Sequence, residues 1–343
     1  MIGCPLRTLA LRTKIADGET RLSVHNASFN TMGHGILVIV YKGIGDVILT
    51  TPLLRALKKG MPDARIYFLT RRPSARILEN NPNLAGVFYR EDKPLAAIRR
   101  AGIDISIDFM RSSSSGFFAR FSGAQKRIAF HYPAGWLFHN TMPEKREDNG
   151  YTVFDRLQLL EPLGIPHDGP SPDLAFAPGN AARADAFLAG LPPAPLTVTF
   201  DITSPRDHRR WAPENFAKLA DRLKADYGAR VIFLWGPGEL DYVKDALSLS
   251  PGGHILAPAF DLLDLAALLK RSTLHVGTSS APMHLAVSQG TPTFTVYAPQ
   301  NSPASWSPPG PEHSWVQGEL ASLPLETVWE RLAAHLKALG AVK

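Results

Sequence analysis

The sequence predicts an α/β protein made of two doubly wound, Rossmann-like domains facing a central cleft. Two observations carry this. Continuous apolar β-type runs alternate with helical patterns, and the whole series occurs twice, as expected of parallel sheets covered on both faces. Between the two series lies a break with eight prolines, at 162, 166, 170, 172, 178, 192, 193 and 195, the composition of a connecting segment. A chain of 343 residues is also too long for one small domain.

The first series opens with "ILVIVY" (36–41), followed by a helical pattern from Val47. "RIYFL" (65–69) and "GVFY" (86–89) are the next strands, followed by helices from Pro73 and Pro94, and "DISIDF" (104–109) closes the series. The proline-rich segment holds only a short helix, 181–189. The second series runs "LTVTFD" (196–201), a helix from Pro213, "RVIFLWG" (230–236), a helix from Leu240, "HILA" (254–257) and a helix from Leu262. It ends with "TLHVG" (273–277), a helix from Pro282 and "TPTFTVY" (291–297). The expected division is an N-terminal extension, 1–31, without sustained periodicity, then domains 32–168 and 169–343; Met32 is an alternative start.

Composition narrows the function. Apolar residues make up 45% and charged residues 20%, as in globular proteins. No run approaches the roughly 18–20 apolar residues of a membrane span. Charges run through the N-terminus, unlike a secretory signal, so a cytoplasmic protein is expected. The single cysteine, Cys4, excludes intrachain disulfides and multi-thiolate metal sites. Residues 33–150 carry 18 Lys/Arg against 10 Asp/Glu, and residues 151–343 carry 15 against 19. A basic first half suits an anionic partner or membrane surface as well as it suits ordinary solvated charge.

Four segments at strand ends bear the chemistry. In "KGIGDVILTTP", Gly43 and Gly45 permit a sharp turn and close approach of a ligand to the loop that begins at Lys42. Asp46 then either caps the following helix or, aimed into the cleft, takes a proton from an attacking hydroxyl. Glycine at 48 would complete a dinucleotide fingerprint, but Ile48 stands there, which argues against a nicotinamide-dependent dehydrogenase. In "VGTSSAPMHLAVSQG", Pro282 sits in the first turn of a helix. Its N-terminus, with Ser279 and Ser280 beside it, offers a diphosphate site, and N-capping by either serine is compatible with that. His284 reads as a core-facing helix residue. In "FDITSPRDHRRWAPENF", Arg206, Arg209 and Arg210 form either a phosphate-binding cluster or a solvated one. In "LWGPGELDYV", Glu239 either bonds ribose hydroxyls or caps its helix.

These segments, in this order and spacing, resemble glycosyltransferase family 9, the lipopolysaccharide heptosyltransferases. The resemblance spans about 36–308 and rests on "GDVILTTPLLRALKK", "RRWAPENFAKLADRL", "FLWGPGE" and "PMHLAVSQGTPTFTVYAPQ". The stretches "DISIDFMRSSSSGFFARFSGAQKRIAF" and "FDRLQLLEPLGI" are similar as well. The family implies a GT-B fold and inverting transfer of heptose from ADP-heptose to the anionic lipopolysaccharide inner core, at the cytoplasmic face of the inner membrane. It implies no cofactor and no catalytic metal. By position Asp46 matches the family's proposed general base. Arg209 takes the place of a phosphate-binding lysine, and Ser204 and Glu239 match donor-contacting positions. Ser279, Ser280, Met283 and His284 fall in the donor-binding block, and Lys42, Gly43 and Gly45 in the cleft loop. The family's Asp-Ser/Thr-Gly reads Ser279-Ser280-Ala281 here, so the carboxylate expected to contact the donor sugar is replaced by a neutral hydroxyl. Ala298 and Gln300 also replace a common Gly and Thr.

That departure keeps two alternatives open: the same fold and reaction with another nucleotide sugar, or a non-catalytic homologue that binds nucleotide or glycan. No aromatic-interleaved basic patch or known module points to nucleic acid. "FARFSGAQKRIAFHYPAGWLFHN" (118–140) mixes aromatic and basic residues. It reads either as aromatics buried in the first domain or as a surface that touches lipid headgroups.

Overall fold

The computed structural model describes residues 33–146 and 150–342; the expected extension, 1–31, and the alternative start at Met32 lie outside them. Two parallel sheets organise the chain. The first has strands β1 (Gly35–Ile39), β2 (Arg65–Thr70), β3 (Gly86–Tyr89), β4 (Ile105–Asp108) and β5 (Lys126–Ala129) in the order β3-β2-β1-β4-β5. The second has β6 (Thr197–Asp201), β7 (Arg230–Phe233), β8 (Ile255–Leu256), β9 (Leu274–Thr278), β10 (Thr293–Tyr297) and β11 (His313–Gln317) in the order β11-β10-β9-β6-β7-β8. Every residue of β1, β6, β9 and β10 is buried, which is why these strands are continuous apolar and Thr-rich runs rather than alternating ones.

Strand order reverses between β1 and β4, and again between β6 and β9. Such switch points open a crevice at the carboxyl ends of the flanking strands, where ligands bind. Asp46 follows β1, Arg209 follows β6 and Ser279 follows β9, so three of the four segments singled out from sequence meet the two crevices.

The structure departs from the sequence reading in several places. The helix expected from Val47 begins at Ile44 and is two helices, Ile44–Ile48 and Thr51–Gly60. The Thr50 hydroxyl donates to the Asp46 carbonyl at 2.8 Å and the Thr51 hydroxyl to the Ile48 carbonyl at 2.7 Å, a side-chain competition that breaks helices. Asp46 is therefore inside the first turn and does not cap; Gly43 occupies the cap position. The helix in the proline-rich segment starts at Pro178 rather than 181, with proline tolerated in the first turn.

The two halves share a core. Ile36, Val38 and Leu53 of the first half lie in one buried cluster with Ile232, Leu268 and Leu285 of the second. Helix Ile44–Ile48 packs on helix Ala281–Ser288. Arg76 reaches across to Asp261 at 2.5 Å. The guanidinium of Arg55 binds the side chains of Asp168 and Asp173 and the carbonyls of Gly169 and Ser171, strapping the proline-rich segment to helix Thr51–Gly60.

Candidate active site

The chain leaves β1 through Lys42, an exposed residue whose carbonyl accepts from Ser74 Oγ at 3.2 Å. Gly43 has an ordinary extended φ and open space around it. Gly45 has a different reason: a Cβ there would sit 2.7 Å from His284 Cδ2. The approach of the second half's helix thus accounts for a glycine at this position.

Asp46 lines a recess with Lys42, Phe109, Arg111 and Arg156, and Trp306 closes it from the second half. Arg156 Nη2 donates to Asp46 Oδ1 at 2.8 Å, Nε donates to Thr50 Oγ1 at 3.1 Å, and Nη1 donates to the carbonyl and hydroxyl oxygens of Thr152, both at 3.0 Å. The arginine side chain is 8% exposed and that of Asp46 23%. Burial lowers the Arg156 pKa, and the charge of Asp46 works against that shift. The guanidinium thus fixes one carboxylate oxygen and leaves the other for a ligand. Arg156 was not found from sequence; its only signal was that it is the one cation in "FDRLQLLEPLGI".

The second half gathers the remaining candidates at the carboxyl ends of β6, β7 and β9. Arg209 lies in the single turn Asp207–Arg209. Burial, then the like charge of Arg206, lowers its pKa, and its Nε is buried without a hydrogen-bond partner. No acid pairs with it among the described residues, which leaves a partly buried, unpaired cation suited to an anion. Arg210 is engaged otherwise: Nε donates to the Ser204 carbonyl at 2.7 Å and Nη1 contacts Asp207 at 3.1 Å. Ser204 is buried and its hydroxyl accepts from Arg206 N at 3.3 Å, so it shapes the turn. Glu239 occupies the cap position of helix Leu240–Ser248 without capping it; its carboxylate accepts from Gly236 N at 2.8 Å.

Ser280 precedes helix Ala281–Ser288 at the cap position, but its hydroxyl does not cap. It donates instead to the carboxylate of Asp201, whose other oxygen accepts from the backbone and hydroxyl of Thr203 at 3.3 and 3.1 Å. The turn thereby keeps its N-terminal N–H groups uncapped by side chains, an arrangement receptive to phosphate. Asp201 pairs with Gly277 across β6 and β9, two residues before Ser279 in the chain. Burial pushes its pKa up to about 6, opposed chiefly by the Ser280 hydrogen bond. It too was missed: the terminal acid of "LTVTFD" looked like the polar end of a strand.

Ser279 lies within hydrogen-bonding reach of the buried Tyr297 phenol, whose pKa burial raises to about 12. The Met283 side chain is wholly buried, so only its backbone is available to a ligand. His284 is the core residue its pattern suggested. Buried against Gly45, with the Trp306 ring centroid at 6.1 Å, it has a pKa lowered to about 3 by burial and then by Arg156.

Two parallel doubly wound sheets, with a carboxylate at one switch point and a cation and open helix N-terminus at the other, constitute the GT-B architecture of a glycosyltransferase. The model of the family "Glycosyltransferase family 9 (heptosyltransferase)" matches residues 95–324, and the chain belongs to that family. The chain is 25% identical over 276 residues to lipopolysaccharide heptosyltransferase 3 of Escherichia coli, covering 74% of this chain and 80% of that one. It is 21% identical over 290 residues to the lipopolysaccharide core heptosyltransferase OpsX of Haemophilus influenzae, covering 80% and 81%. Among solved structures, a family 9 glycosyltransferase from Veillonella parvula superposes with a TM-score of 0.80 at 23% identity, over 90% of this chain and 99% of that one. The E. coli ADP-heptose lipopolysaccharide heptosyltransferase II gives 0.76 at 18%, over 88% and 98%.

Proposed function

We propose that this chain transfers a heptose-type sugar from ADP-heptose to the inner core of a lipopolysaccharide, with inversion at the anomeric carbon. The acceptor is bound on the first half, 32–168, and the donor on the second, 169–343. The observation that carries the reading is Asp46: a carboxylate in the recess between the halves, held by one oxygen and free at the other. The acceptor oxygen bonds to the anomeric carbon as the carbon–oxygen bond to the diphosphate breaks. The acceptor proton passes to Asp46, and ADP leaves with the electron pair. Arg209 and the N–H groups near Ser279 to Met283 stabilise the charge that builds on the diphosphate, preorganised electrostatics of the kind that usually dominates catalysis. Relatives solved with ADP and with ADP-2-deoxy-2-fluoro heptose support the choice of nucleotide. Lys42, Arg111 and Lys145 around the recess suit an anionic acceptor, which resides in a membrane.

Ser279 favours one alternative, the same reaction with a different nucleotide sugar. Calorimetric titration with ADP, UDP, GDP and ADP-heptose decides between them. The reading expects ADP to bind best of the three nucleotides and the heptose-bearing form to bind more tightly still. Preference for UDP or GDP would overturn the donor, and failure to bind any of them would leave a non-catalytic homologue.

A further inference from the structure

Among the described residues, six large apolar side chains stand exposed, and four of them, Phe117, Phe121, Trp136 and Leu137, come from the stretch 117–137. Trp136 is 70% exposed. The sequence allowed these aromatics to be core, and some are: Phe130 and Tyr132 are buried. The rest form a separate face. Helix Ser113–Phe121 buries Ser115, Gly116 and Ala119, which leaves Phe117, Arg120 and Phe121 on one outward stripe at helical spacing. The Phe117 and Phe121 ring centroids lie 4.8 Å apart with the planes tilted at 50°, and the Arg120 guanidinium lies 5.7 Å above Phe121. A Cβ on Gly116 would lie 2.5 Å from Phe138, so the helix seats directly on the turn Gly135–Leu137 and brings Trp136 and Leu137 alongside the stripe.

The charge of this face is one-sided. From Phe109 to Pro143 the chain carries Arg111, Arg120, Lys126 and Arg127 and no aspartate or glutamate. Arg111, Arg120 and Arg127 form no ion pair among the described residues. Arg127 is held by the carbonyls of Phe138 and Ala124 at 2.7 and 2.9 Å. The face borders the recess: Lys42, Phe109 and Arg111 line both the Asp46 recess and its continuation, which ends at Ser113 and Pro133, next to the helix and the turn.

We propose that this face docks on an anionic lipid bilayer, with Phe117, Phe121, Trp136 and Leu137 entering the headgroup boundary and Arg120 and Arg127 meeting lipid phosphates. Apolar tips ringed by unpaired cations match such a surface on both counts: the tips gain from leaving water, and the cations from the negative surface potential. Duplex nucleic acid would use the cations but leave the four apolar side chains unsatisfied. Docking in this orientation presents the recess to the membrane plane. The proposal rests on the reading of the recess as an acceptor site, and its test reads vesicle binding alone, so the two fail separately.

The test is co-flotation of the purified protein with vesicles of phosphatidylglycerol and phosphatidylethanolamine, set against phosphatidylcholine alone. The wild type is expected to bind the anionic vesicles about tenfold better, less so as salt rises. Trp136→Ser with Leu137→Ser should lose about tenfold, and Arg120→Glu several-fold. Far-UV circular dichroism and an unchanged thermal midpoint establish that each variant is folded. Absence of binding to anionic vesicles, equal binding by the folded variants, or capture by RNA without vesicle binding would each overturn the proposal.

Discussion

Asp46 and Arg156 form a pair whose parts do different work, and substitutions should separate them. Arg156→Met removes the group that holds Asp46 Oδ1, so kcat is expected to fall roughly 10- to 100-fold through lost orientation. Donor affinity should be unchanged by titration, and Arg156→Lys should recover part of the rate. Equal loss of donor binding and turnover would make Arg156 a packing residue only. Asp201 makes a prediction of the opposite kind. Its pKa in the folded chain, about 6, lies above the ordinary carboxyl value of about 4, so between those values the folded state holds the extra proton. Stability contributed by the protonated group is present below about pH 4 and is lost as pH rises through 6. Asp201→Asn should flatten the stability profile across that window and raise stability at pH 7 by roughly 3 kcal/mol at most, measured by denaturant unfolding at several pH values. Neither Arg156 nor Asp201 was legible in the sequence. Each acts through a partner more than 75 positions away, Arg156 on Asp46 and Asp201 on Ser280, and periodicity carries no information about such distances. Asp46 and Arg209 stood out as candidates because each lies in a segment that links a strand to the next long helix, Asp46 beside glycines and Arg209 in an arginine cluster.

At the scale of the element, the contact between helices Ile44–Ile48 and Ala281–Ser288 is the tightest joint near the site. Alanine in place of Gly45 would gain up to about 1 kcal/mol of helix propensity. It would also press on the buried His284 ring at 2.7 Å, and overpacking of a core typically costs about 1–3 kcal/mol. The clash should win, because the ring that must give is buried and packed between Gly45 and Trp306. Urea unfolding is expected to show Gly45→Ala as destabilised. In combination with His284→Ala, the effect of the added methyl should shrink or reverse, a coupling that distant sites do not show. Sequence reading found nine of the eleven strands among the described residues, the half-buried edge strands β3 and β8 included. It missed β5, "KRIA", and β11, "HSWVQ", which lie at sheet edges and are only partly buried. Both runs set only two apolar residues among charged or polar ones, too few for either period to register. The helix from Val47 was placed late because the Thr50–Thr51 break divides one pattern into two.

For the whole molecule, the repeated strand–helix grammar was enough to give two doubly wound sheets, while the manner of their joining was not. One buried cluster runs through both halves, so the halves should unfold together. Denaturant transitions followed by far-UV circular dichroism, which reports both sheets, and by fluorescence, dominated by Trp211, Trp235, Trp306, Trp315 and Trp329 of the second half, are expected to coincide. Separate midpoints would mean that the shared cluster does not couple the halves. The central claim concerns chemistry at the joint between them, and it is tested by transfer itself. The measurement is the rate at which labelled heptose passes from ADP-heptose to a heptose-deficient lipopolysaccharide core, for the wild type and for Asp46→Asn, with donor binding titrated in parallel. The account predicts transfer by the wild type and a loss of about 10²- to 10⁴-fold in the variant, with donor affinity within about twofold. Transfer by Asp46→Asn at the wild-type rate would contradict it.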